Sequence, residues 1–295
     1  MGSGDDSDRV TRRTYLRTVG TGTAAAVGLG ATATGTAAAF DGSYAGRVTT
    51  RGHFIAQLFL GVDYTAGHDR TDYDTSATIP GLTDDASPSE LVVFVHRYDK
   101  GLTGALESLR GFNDALRSAG YEEALIGFDW DADEGRWDQT VEIADLNADK
   151  LGTFVRDYQE ERPDTDVRLV AHGGGAKTVA ECLEFFMDRG YDTTVKSVDF
   201  LGGAIDNDSV ATDGQYGQAI ADHCDTCRNY YKTDDEFLGW TYAWKEWDKA
   251  VGDTGAEGET PDNYAEFDVT DDVTDHDSFP LPDDGCVPTV VDNWS

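Results

Sequence analysis

The chain has 295 residues and carries 57 acidic against 23 basic side chains, a formal charge of -34 with a pI near 4.2. That balance argues against nucleic acid and anionic membrane as partners. Disorder is the usual alternative for so acidic a chain, but an aromatic content of 11% and strongly periodic apolar segments favour a packed fold. The acidic coat suits a high-salt medium, in which a Debye length near 3 Å at about 1 M salt screens the self-repulsion.

In chain order, Arg12-Arg13-Thr-Tyr-Leu-Arg17 precedes a mild Gly/Ala/Val/Thr run from Val19 to Ala39 that closes on three alanines. It resembles a twin-arginine export signal with a small-residue cleavage site. The run is too bland to span a bilayer, and no later apolar run is long enough to do so. Residues 1–39 are therefore expected to be a signal read by the twin-arginine translocase. Residues 40–295 then form one exported domain of about 250 residues, released or held at the cell surface.

Within it, residues 40–90 are polar and turn-rich, with one apolar patch from Phe54 to Gly61, and are expected to supply leading edge strands. The core is expected over 91–279. Leu91-Val-Val-Phe-Val95 is a continuous β-branched run, the mark of a strand covered on both faces. A helix is predicted over 103–119, stopped by Gly120, then a second buried strand at 124–130 and a long helix over 138–161 before Pro163. Further strands are expected at 167–171, 195–201 and 229–231, with a helix over 178–188. Phe237 to Trp247 reads as helical, with Phe237, Trp240, Trp244 and Trp247 on one docking stripe. Gly252 to Asn263 reads as a loop and 280–295 as an irregular tail. Strands alternating with helices at this spacing indicate an α/β fold, a mostly parallel sheet flanked by helices.

Export makes disulfides permissible for Cys182, Cys224, Cys227 and Cys286, and a disulfide bracing a loop is expected, with the pairing open among three possibilities. His223-Cys224-Asp-Thr-Cys227 has no second ligand pair at zinc spacing, so no metal is expected. No cofactor is implied either.

The informative stretch is Arg168-Leu-Val-Ala-His-Gly-Gly-Gly-Ala-Lys177, an apolar strand running into a glycine cluster and then a helix. It has the form of a nucleophile elbow, Gly-x-Ser-x-Gly. Laid over Ala171 to Gly175, the pattern puts the nucleophile at Gly173, where the serine is absent. From about Leu91 to Phe279 the chain resembles a secreted α/β-hydrolase of esterase or lipase type, of the kind haloarchaea export. The resemblance implies that His96 stands for the His-Gly after the third strand, with Arg97 in place of the glycine. Gly174 and Tyr98 would supply oxyanion N-H groups. Asp235, or Asp234 one residue earlier, would be the acid, and His276 the histidine. The order nucleophile, acid, histidine is that of this fold.

A nucleophile elbow holds its central residue in a sparsely populated backbone region, a strain of about 1 to 3 kcal/mol that glycine avoids. Without a hydroxyl at position 173 the acyl-enzyme route is closed. One expectation is therefore a protein that binds a small-molecule ester, carboxylate or carbonyl ligand, or a surface partner. An active hydrolase or lyase working through an Asp235-His276 dyad is a second. A structural cell-surface protein is a third.

Overall fold

The computed structural model describes residues 44, 46–57, 61–242, 246 and 248–294. The expected signal at 1–39 and the stripe residues Trp244 and Trp247 lie outside them.

Four consecutive apolar runs account for the sheet. Strands β5 (Glu90–Val95), β6 (Ala124–Asp129), β7 (Asp166–His172) and β8 (Ser197–Leu201) bury nearly every residue, as parallel strands covered on both faces must. Along β5, Leu91, Val93 and Val95 enter one hydrophobic cluster while Val92 and Phe94 enter the other. The period of two in strand side chains thus divides the core between the two faces. The complete sheet has eight strands, including β1 (Gly46–Thr49), β4 (Asp74–Ala77), β9 (Cys227–Tyr231) and β10 (Tyr264–Asp268), in the order β10-β9-β8-β7-β5-β6-β1-β4. All neighbours are parallel except β1 and β4. A separate hairpin pairs β2 (Phe54–Gln57) with β3 (Gly61–Tyr64).

Helices α1 (Leu102–Ser118) and α6 (Val287–Asp292) cover one face. Helices α2 (Trp137–Glu161) and α3 (Gly175–Arg189) pack together on the other. Gly190, at φ +62, closes α3 in the left-handed conformation that suits a glycine cap.

Three expectations change. The leading segment is not confined to an edge: β1 lies between β6 and β4 and buries Val48 completely. The tail contains α6, started by a proline in its first turn, where a missing N-H costs nothing. The segment after Glu236 forms a π-helical turn over Phe237–Tyr242. Two further short helices, α4 (Gly217–His223) and α5 (Val251–Thr254), fall in stretches without a sequence signal.

The four cysteines are free, buried thiols, so the expected loop-bracing disulfide is absent from this structure. Cys182 and Cys286 belong to clusters on opposite faces of the sheet. The Cys224 thiol donates to the Ile220 carbonyl at 3.2 Å. Among the described residues no helix is long and apolar enough to cross a membrane.

Candidate active site

Strand β7 ends in His172, and the chain then turns through Gly173 at φ +52. The turn is pinned by the backbone. Gly173 donates its N-H to Leu201 at 3.0 Å, and its carbonyl accepts from Ala176 and Ala204, both at 3.0 Å. Gly174 is the N-cap of α3, so the first N-H groups of that helix gather beside the turn. This is the strand-turn-helix that the glycine cluster predicts.

Above it stands His276, brought by the loop after β10. The buried Nε2 of His172 donates to the His276 carbonyl at 2.7 Å, which fixes that loop to the elbow. Burial, then the neighbouring charges of His276 and Arg97, hold the pKa of His172 well below the ordinary histidine value, so it stays neutral.

Asp235 is 2% exposed and accepts the Nδ1-H of His276 at 2.7 Å through Oδ2. Its Oδ1 takes the N-H groups of Phe237 and Leu238 at 3.0 and 3.1 Å. The three donors fix the carboxylate in place, and it orients the imidazole with the proton on Nδ1. Asp234 is instead an exposed partner of Lys232, so of the two adjacent acids it is Asp235 that meets the histidine.

The remaining nitrogen is the informative one. His276 Nε2 is buried and has no hydrogen-bond partner. It lies 2.8 Å from the point where a β-carbon on Gly173 would stand. An unmet buried polar atom costs about 1 to 3 kcal/mol, and this one faces the position at which the resemblance expects a hydroxyl.

Tyr98 and Gly174 are brought together through close packing of the tyrosine ring on the glycine. A β-carbon on Gly174 would fall 2.2 Å from the Tyr98 ring, so only glycine admits this approach. The ring also meets Trp130 and Trp137 edge-on at 5.7 and 4.9 Å. His96 buttresses the same loop. Its Nε2 accepts the Trp130 N-H at 3.2 Å, and its carbonyl accepts the Trp130 indole N-H at 3.1 Å.

Sequence reasoning missed what closes the site. The Phe237 ring stacks on His276 at 4.7 Å, and the Arg97 β-carbon lies 2.9 Å from the same vacant β-carbon position. The Arg97 guanidinium grips Asp277 through two bonds of 2.8 and 2.9 Å, and Lys100 adds a third at 2.9 Å. The only sequence signal was Arg97 in the place of a glycine. Outside this closure lies a cleft of about 650 Å³ bordered by Arg97, Lys232, Phe237, His276 and Asp277.

Partial burial opposes ionisation of Asp277, but the hydrogen bond to Lys100 and the charges of Arg97 and Lys100 outweigh it and lower its pKa from 3.8 to about 2. A depressed carboxyl contributes stability that is present above its unfolded pKa and lost as pH falls through the folded one. The Arg97-Asp277 pair should therefore remain intact at pH 4 and fail near pH 2, as read from the carboxyl carbon shift of Asp277. Arg97→Gln should raise that midpoint.

Among the described residues one group has metal-like spacing, His53, His68 and Asp72, with ligand atoms within 4.8 Å of one another. The buried Lys150 ammonium already lies among them, 2.5 Å from Asp72 Oδ1 and 3.3 Å from His53 Nδ1. A divalent ion there would face that positive charge at close range, so the residues do not fit a metal. The His223-Cys224-Cys227 stretch also lacks a convergent set, since His223 Nδ1 bonds the Thr193 carbonyl at 2.9 Å.

A family model described as an alpha/beta hydrolase of unknown function (DUF900) matches residues 78–241. The match takes in Tyr98, the elbow and Asp235, and ends before His276. Among solved structures, the monoclinic form of a Pyrobaculum calidifontis esterase is similar, with a TM-score of 0.41 and 12% identity, covering 72% of this chain and 78% of that one. No curated protein matches the sequence.

Proposed function

Since the chain belongs to this family of alpha/beta hydrolases, whose model spans more than half of it, we propose that it is a pseudoenzyme of esterase or lipase ancestry. It has given up serine-nucleophile chemistry and binds a small molecule in the cleft beside His276. One observation carries the reading: an Asp-His pair with a single vacant nitrogen, Nε2, faces a glycine. A serine hydrolase passes the hydroxyl proton to that nitrogen, and here no proton or nucleophilic oxygen is on offer.

The reading includes export by the twin-arginine translocase, supported by Arg12-Arg13 and the run to Ala39, and a haloarchaeal origin, supported by the acidic composition. In the oxyanion role, Gly174 and Tyr98 would offer backbone N-H groups to a carbonyl or carboxylate oxygen beside the helix N-terminus.

The mature protein in molar salt should hydrolyse p-nitrophenyl butyrate no faster than its His276→Ala variant. A His276-dependent rate would instead favour a second reading, which the intact dyad supports. There the Nδ1-H held by Asp235 leaves Nε2 as a general base for water, a contribution of about 10²- to 10⁴-fold.

A further inference from the structure

Basic residues are scarce in this chain, 23 against 57 acids, yet two of them converge on one carboxylate at the mouth of the cleft. Arg97 grips both oxygens of Asp277, and Lys100 shares Oδ1. The Asp277 side chain is 55% exposed, whereas those of Arg97 and Lys100 are 11% and 21% exposed. Arg97 thus belongs to the wall of the cleft, Lys100 reaches the same carboxylate from beside it, and Asp277 is the more exposed partner of both. Asp277 also directly follows His276, and both border the same cleft.

We propose that Arg97 and Lys100 form a carboxylate-binding subsite of the His276 cleft, with Asp277 as the internal carboxylate that fills it when no ligand is bound. The proposal rests on the reading of the cleft as a small-molecule site and gives that molecule a chemical class. A planar guanidinium matches a carboxylate with two parallel N-H···O bonds, which is the geometry Asp277 adopts. A carboxylate ligand exchanges one anion for another. A neutral ligand that displaced Asp277 would leave two cations without a partner. Glu236 and Asp275 also border the cleft and repel anions at long range, but molar salt screens that repulsion within about 3 Å and leaves the direct contacts.

The test is calorimetric titration of the mature protein in molar salt with benzoate, its neutral analogue benzamide, and phenylphosphonate. In Asp277→Asn, which removes the internal competitor at an exposed position, benzoate should bind about tenfold tighter than in wild type, the scale of one charge-assisted bond. Benzamide should be unchanged. Adding Arg97→Gln or Lys100→Gln to that variant should remove the gain. Equal benzoate affinity in wild type and a folded Asp277→Asn protein would overturn the proposal, and so would an equal gain for benzamide. A larger gain for phenylphosphonate than for benzoate would overturn the carboxylate assignment. None of these outcomes depends on ester turnover, so this proposal and the loss of nucleophile chemistry can fail separately.

Discussion

Gly173→Ser is expected to create His276-dependent ester turnover about 10⁴-fold above that of the wild-type chain, the low end of the roughly 10⁴- to 10⁶-fold that a missing triad member removes from serine hydrolases. The supporting parts are in position. Asp235 and His276 are 2.7 Å apart, Nε2 is unpartnered, and the new β-carbon would arise 2.8 Å from it. That spacing and the 2.9 Å to the Arg97 β-carbon are shorter than a β-carbon tolerates, so the histidine and Arg97 must shift to admit the serine. A non-glycine residue at φ +52 also adds strain of about 1 to 3 kcal/mol, so the variant should melt at a lower temperature than wild type. Arg97→Gly in the same background restores the His-Gly pattern and relieves the crowding. If turnover appears only with both changes, Arg97 closes a site that is otherwise complete.

The second large effect is on stability. Lys150→Met should lower the unfolding free energy by about 1 to 3 kcal/mol, because it removes a buried ammonium from the part-buried oxygens of Asp69 and Asp72 that it holds together. The Lys150 side chain is fully buried and reaches from α2 to the Asp69 and Asp72 carbonyls at 2.5 and 2.9 Å and to the Asp72 carboxylate at 2.5 Å. Its ammonium also faces the Phe54 and Tyr64 rings at 5.4 and 5.3 Å. It therefore fastens the hairpin and the loop after it to the helix layer, and urea melts of the two proteins measure how much that fastening contributes. If Lys150→Met left the midpoint unchanged, the network would be decorative.

These two regions also divide what could be read from the chain. Continuous apolar runs such as Leu91 to Val95 leave few alternatives to a buried parallel strand, and the glycine cluster after Val170 marks the turn without ambiguity. The order Gly173, Asp235, His276 was legible because the fold imposes it and the chain has only six histidines. Strand β10, Tyr-Ala-Glu-Phe-Asp, was hidden because this edge strand buries only Tyr264 and exposes Glu266 and Asp268, so it looks like polar loop. Strand β1 is four residues long and gains its place from pairing with β6, a long-range contact without a local signal. Closure of the site by Phe237 and Arg97 depends on side-chain packing between segments distant in the chain. Phe237 lies on the expected apolar stripe, and in the structure its ring stacks on the histidine itself.

The central claim is that the bend at Gly173 is shaped to hold a hydroxyl beneath His276. Peptide mass mapping of Gly173→Ser after treatment with a neutral fluorophosphonate tests it most directly. The account predicts a single stoichiometric adduct at position 173, no adduct on the wild-type chain, and loss of the adduct when His276→Ala is added. A folded Gly173→Ser protein that stays unlabelled, with Arg97→Gly as well as without it, would contradict it.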